Sequence, residues 1–337
     1  MLSTKPFQQR RSGHSHVIGL LIIAVSVVLA LLLLLNRQRV LDQVTVWQYK
    51  PSNDIVQLAD RSGMNDTGKF YFYASEPKVE AASPFNKDCG TTETSTAILG
   101  CYNGRNIFIY NVTNTELTGI KETTAAHEML HAAYARLNDG EKKYVDGLLE
   151  AEYQSLKSDK NFATRMAFYD KTEPGERDNE LHSVIGTEVT SIGGDLEQYY
   201  NKYFVDRSKV LAMHNSYASV FASLQAESDS LSKQLTDLGN TITQQTQVYN
   251  TQVASLKTAI TSFNQRANNG DFSSKAAFDS ERATLVTQAN QLDQMRETIN
   301  TEIAEYNNLR NKLQSVASQS AALNQSIDSS LAPAPSL

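Results

Sequence analysis

The chain has 337 residues, with 31 Lys and Arg against 37 Asp and Glu, six His and two Cys. A net charge of -6 gives no electrostatic case for nucleic acid as a partner, and the length allows a globular domain with further elements attached. The seven prolines lie at 6, 51, 77, 84, 174, 333 and 335, so nothing between Gly175 and Ala332 is broken by proline.

Residues 1–16 form a basic tail, and Val17 to Leu35 then runs without a charge. As a helix that run spans roughly 28 Å, close to the hydrocarbon thickness of a bilayer. A buried core helix would carry a polar face, and this run is interrupted only by Gly19 and Ser26. A cleaved signal peptide would be shorter and end in a small-x-small site, whereas Asn36-Arg-Gln-Arg39 follows here. The reading is an uncleaved signal anchor, a membrane-spanning helix over residues 17–35. Lys5, Arg10 and Arg11 precede the span and Arg37 and Arg39 follow it, which favours a cytoplasmic amino terminus and an extracytoplasmic remainder. Cys89 and Cys101 both lie beyond the anchor, each beside a glycine. An oxidising compartment suits a disulfide closing a surface loop, and two unrelated thiols are the other reading.

Val44 to Tyr49 and Lys69 to Ala74 read as short strands, with turn residues between them, and Ser75 to Leu99 reads mostly as loop. Asn106-Ile-Phe-Ile-Tyr110 is the clearest strand, being β-branched and aromatic. Helical patterns follow over 141–157 and 161–169, with an apolar face of Tyr144, Leu148, Leu149 and Tyr153. Thr172-Glu-Pro-Gly175 is a break, after which Asp178 to Val189 resumes a helical pattern.

The chemistry concentrates in Thr124-Ala-Ala-His127-Glu128-Met-Leu-His131-Ala-Ala, set in an uncharged helix-forming run. Residues four apart share a helix face, so His127 and His131 can put two imidazoles on one metal ion. Glu128 lies one residue on, where a general base for an activated water belongs. An amphipathic helix whose two histidines happen to share a face is the plainer alternative.

This His-Glu-x-x-His segment resembles that of the zincin metallopeptidases, over roughly 105–205. The resemblance implies zinc as cofactor, His127 and His131 as ligands, Glu128 as the catalytic base, and a peptide or protein substrate. In the metzincin branch a third His follows six residues on with a Gly between, but Leu137 and Tyr134 occupy those positions. The gluzincin branch supplies a Glu from a later helix, and Asn179-Glu180-Leu-His-Ser183 is similar to that pattern. Glu180 is thus the expected third metal ligand, with Glu188 as competitor and His182 behind it. Many gluzincins carry an acid four residues after the ligand, where this chain has Val184. Tyr199, Tyr200 and Tyr203 read as packing residues, one of which is available as an oxyanion donor. In zincins the strand before the active-site helix borders the cleft and pairs with substrate; 106–110 has that place in the order, and a plain core strand is the equal alternative.

Beyond Asp206, apolar residues recur in steps of three, four and seven through Leu224, Leu231, Leu235, Leu238 and Ile242 to Phe263. Asn268-Asn-Gly-Asp271 interrupts, and a second run passes through Leu285, Leu292, Ile299, Leu309 and Val316 to Ile327. This predicts an antiparallel coiled-coil hairpin over 206–330, a structural arm open to self-association or a protein partner, before a short tail at 331–337.

The expectation is therefore an α+β, mainly helical chain. A transmembrane helix leads to a zincin-like domain over 40–205, with a small sheet beside the His-Glu-x-x-His helix, and a long hairpin follows. The expected function is membrane-anchored, zinc-dependent peptide hydrolysis. The alternative is a surface-anchored coiled-coil scaffold or adaptor whose zincin-like domain does not turn over.

Overall fold

The computed structural model describes residues 14–90, 98–172 and 174–330 of a mainly helical chain. Residues 1–13 of the basic tail expected over 1–16, and the tail at 331–337, lie outside the described residues. Two compact units emerge: Met1–Tyr217 with Ile327–Leu337, and Ala218–Ser326.

The first unit begins with α1, His14–Leu35, and α2, Arg37–Gln48. Within α1, Ile18–Leu35 has a mean hydropathy of 3.3 and is long and apolar enough to cross a membrane. Two expected strands are helices instead. Val44 to Trp47 belongs to α2, and Asp66–Ala74 forms α4 after a short α3, Asn53–Arg61. The physical reason is that six-residue aromatic and β-branched runs fit either period, and the flanking groups decide. Asn65 caps α4, its Oδ1 accepting from the N–H groups of Thr67 and Gly68. In α2 the inward residues Asp42, Thr45 and Val46 recur at helical spacing.

The sheet has three strands in the order β1-β3-β2: β1 is Lys78–Glu80, β2 Gly100–Tyr102 and β3 Ile107–Tyr110. β1 runs parallel to β3 and β2 antiparallel to it. The strand expected at 106–110 is therefore present as β3, buried at all four positions. It pairs on both sides, as the plain core-strand alternative has it, and β1 and β2 are the edges of the sheet. Helix α5, Ala82–Cys89, and β1 occupy part of the stretch expected as loop. Cys89 and Cys101 are joined in a disulfide, which ties the end of α5 to β2.

Helices α6 (Ile120–Tyr134), α7 (Asp139–Leu156), α8 (Lys160–Thr172), α9 (Arg177–Glu188) and α10 (Gly194–Tyr200) complete the unit. An Asn138–Glu141 capping box starts α7. The core gathers Ile107 and Ile109 from the sheet, Ala125, Ala126, Met129 and Leu130 from α6, and Leu181 and Ile185 from α9.

The long helices are α11, Ser208–Asn269, and α12, Lys275–Ile327. The first turns of α11 belong to the first unit, where Val210 is fully buried. In the second unit the two helices pair antiparallel: Gln245 donates to Glu302, and nearer the turn Arg266 pairs with Glu281. Leu231, Leu309 and Val316 form its buried seam, flanked by Leu224, Leu235, Leu238 and Leu313.

Candidate metal centre

Helix α6 is buried on nearly every side. Thr123 to Ala126 and Met129 to Ala133 are small or apolar enough to pack against α9, α4, α3 and the sheet. Such a helix can hold polar side chains only where they find partners. His127 and His131 share one face, their ring centroids 4.7 Å apart with the planes at 73°.

Helix α9 lies against that face. A Cβ at Gly186 would come within 2.5 Å of Leu130 Cδ1 and 2.7 Å of Tyr200 Cε1, so only glycine permits this approach. The close packing carries Glu180, in the first turn of α9, onto the two imidazoles. Its Oε1 is 3.3 Å from His131 Nε2 and its Oε2 is 3.7 Å from His127 Nε2. The carboxylate also sits at a helix N-terminus, where the macrodipole favours negative charge.

The donor set fits a metal ion. One ligating atom from each of the three side chains lies within 4.8 Å of the others, in a group that could hold a metal ion. Zinc bonds of about 2.0–2.1 Å in a tetrahedron put neighbouring ligand atoms about 3.3–3.4 Å apart, close to the His–Glu separations here.

Asn179 fixes the imidazole of His131. Its amide nitrogen donates to the Glu176 carboxylate at 3.0 Å, which turns its oxygen toward His131 Nδ1 at 2.9 Å. A carboxylate only accepts, so this amide orientation is set, and Nδ1 must carry the proton. The lone pair of His131 is then on Nε2, facing Glu180. This orienting role of Asn179 escaped the sequence reading, although the residue's place beside Glu180 was a visible signal.

Glu188 stands apart from this group. At the other end of α9 it pairs with Arg165 of α8 and lies 4.0 Å from His214 Nδ1. His182 also points elsewhere, fully buried among Tyr134, Tyr199, Tyr200 and Tyr203. Burial chiefly, then the neighbouring His131 and His127, depresses its pKa to about 3, so the ring is neutral and bonds Tyr199 Oη at 2.9 Å. Tyr199, Tyr200 and Tyr203, expected as packing residues, form this packed layer. Tyr200 donates to the His182 carbonyl at 2.7 Å, and Tyr199 and Tyr203 share a hydrogen bond at 3.2 Å. Burial raises the pKa of all three, that of Tyr203 to about 12.

Glu128 is buried beneath β2. A Cβ at Gly100 would fall 2.7 Å from Glu128 Oε1 and 2.5 Å from Thr124 Cγ2, so glycine lets the strand backbone rest on that carboxylate. Antiparallel alternation sets which way β2 bonds. Leu99 accepts from Tyr110 and Asn103 donates to Asn106, so the N–H and C=O of Gly100 and Tyr102 point away from β3. Sequence reasoning missed Gly100, since nothing local marks which glycine will meet a distant carboxylate.

The end of α6 is secured by Arg136. Its guanidinium donates twice to the buried Asp42 of α2, at 2.8 Å each, and to the Ala132 carbonyl at 2.8 Å and Tyr102 Oη of β2 at 3.2 Å. One side chain thus joins the His-bearing helix, the edge strand above Glu128 and the helix that follows α1. Comparison with protein-family models, with curated proteins and with solved structures finds no match to this chain.

Proposed function

We propose that this chain is a membrane-anchored, zinc-dependent peptidase of the gluzincin kind, with His127, His131 and Glu180 as metal ligands. The observation that carries the reading is the convergence of those three side chains, one ligating atom from each within 4.8 Å of the others, with Glu128 on the same helix as the two histidines. A zinc ion held there supplies a Lewis acid that polarises a carbonyl and acidifies water. Glu128 takes the proton of the attacking water and returns it to the departing amine nitrogen as the C–N bond breaks. Asn179 keeps the His131 lone pair directed inward. β2, with its outward N–H and C=O groups, offers an extended peptide an edge to pair with beside Glu128. The signal-anchor reading of α1 puts the domain outside the cytoplasm, and the Cys89–Cys101 disulfide is in keeping with that placement.

The test compares full-length protein in detergent with its Glu128→Gln variant, following zinc content and hydrolysis of casein. Wild type is expected to carry stoichiometric zinc and cleave, and the variant to carry zinc without cleaving. A zinc-loaded wild type that cleaves no more than the variant overturns the peptidase reading. The second reading, a scaffold or adaptor, then takes its place, supported by two long helices whose surface is mostly Ser, Thr, Gln and Asn.

A further inference from the structure

Helix α2 buries one face and leaves the opposite one without a partner among the described residues. Asp42 is 4% exposed and held twice by Arg136, so α2 cannot turn about its own axis. That constraint directs Val40, Leu41, Val44 and Trp47 outward, at 39%, 49%, 39% and 75% exposure. Trp47 is the chain's only tryptophan. These four form a single stripe at helical spacing, and the exposed basic residues Arg37, Arg39 and Lys50 flank it.

The stripe is continuous along the chain with α1, from which only Asn36 separates α2. From the geometry we infer that this face of α2 lies on the surface of the same membrane, seating Trp47 among the lipid headgroups. The inference rests on the reading of α1 as a membrane span. Apolar faces with tryptophan and flanking Lys and Arg suit that layer, because the indole is amphipathic and the cations meet lipid phosphates. A second copy of the chain is a poorer fit. A stable protein interface buries roughly 800 Å² per partner, more than four side chains on three turns supply. The flanking cations would also face their own kind across a symmetric pair.

Direction matters here. Continued straight, α2 would carry Trp47 about 18 Å past Leu35 at the helical rise. The headgroup layer is only about 5–8 Å deep on each side. The chain must therefore bend between α1 and α2, and Asn36 is the residue that leaves helical geometry, with φ -108° and ψ 23°. The consequence for function follows through Arg136. The helix that lies on the bilayer is bonded, by its other face, to the end of α6, so the His127–His131–Glu180 group is held at a fixed place against the membrane. On the peptidase reading, this placement favours a membrane-proximal segment of another anchored protein as substrate, while an unstructured chain such as casein still reaches the group from solution.

The single tryptophan makes this directly measurable. Full-length protein is reconstituted into vesicles of phosphatidylcholine and phosphatidylglycerol, with bromine on the acyl chains either close to the headgroup or near the chain end. Flotation of the vesicles after carbonate washing checks the span itself. Trp47 emission should be blue-shifted and lose most of its intensity with the shallow bromines, and much less with the deep ones. In Val44→Asp, which leaves Trp47 in place, that quenching should be largely lost while thermal unfolding of the domain is unchanged. Protein that floats but shows water-like, unquenched emission overturns the inference and leaves the span standing. Blue-shifted emission that bromine leaves untouched and that reverts on dilution in the vesicles assigns the face to a second copy, which also overturns it. Quenching that persists undiminished in Val44→Asp overturns the inference that the apolar stripe is what seats Trp47 in the headgroup layer. Protein that does not float removes the span and this inference together.

Discussion

Helix α6 and the α11–α12 hairpin share one backbone geometry and differ in what surrounds them. In α6 every residue from Thr123 to Tyr134 except His127 is buried, and the helix meets α9, α3, α4 and the sheet from several directions. In α12 the buried residues are Leu292, Ile299, Leu309, Val316 and Leu323, a single seam in steps of seven, ten, seven and seven residues. The lesson concerns where chemistry can live. Gathering two imidazoles and two carboxylates at fixed spacing requires neighbours on many sides, each blocking a different movement. A seam supplies one direction of contact, enough to pair two helices and leave their outer faces to Ser, Thr and Gln.

Substitutions can break or sharpen that contrast. The largest effect is expected at Glu180. Its carboxylate gives the group both negative charge and a third donor, so Glu180→Ala should purify essentially metal-free, while Glu188→Ala, which loses contacts with Arg165 and His214 away from the group, should keep near-stoichiometric zinc by elemental analysis. The reverse pattern would move the site to the other end of α9. Next comes the seam. Leu309→Ala should cost about 2–5 kcal/mol in denaturant unfolding of the hairpin, as buried leucines do. Zinc content should not change, and a shared loss would mean that the two units depend on each other.

Asn179→Ala should be milder. Loss of an orienting partner lowers metal affinity about 10- to 100-fold, measurable by competition with a chelator. Unchanged affinity would show that the packing of His131 alone sets its ring. The smallest effect belongs to the exposed face of α11: Gln244→Ala should shift stability by no more than about 0.5 kcal/mol. A larger change there would reveal a partner on a surface that otherwise has only solvent to satisfy.

Much of this chain was legible in one dimension. The spacing of His127 and His131 determines a shared face once the segment is helical, because i and i+4 coincide on any α-helix. The apolar run of α1 and the seam of the hairpin are equally local patterns, long enough for their period to be unmistakable. Short segments were not. Val44 to Tyr49 and Lys69 to Ala74 fit a strand until the cap at Asn65 and the helical spacing of the buried face of α2 are taken into account.

The tertiary structure decided everything that depends on which surfaces meet. Glu180 and Glu188 sit on one helix with similar neighbours in sequence, and the packing of α9 on α6, close at Gly186 and Leu130, sets the first beside the histidines and leaves the second with Arg165. β2, rather than β3, lies over Glu128, because pairing order is a property of the sheet and not of any strand within it. Arg136 finds Asp42 across ninety-four residues of chain, and no periodicity announces such a pair. Secondary structure is written in spacings of three or four residues, which a sequence displays. The meeting of distant side chains follows from how whole helices and strands stack, and that is settled by the sum of all their contacts at once.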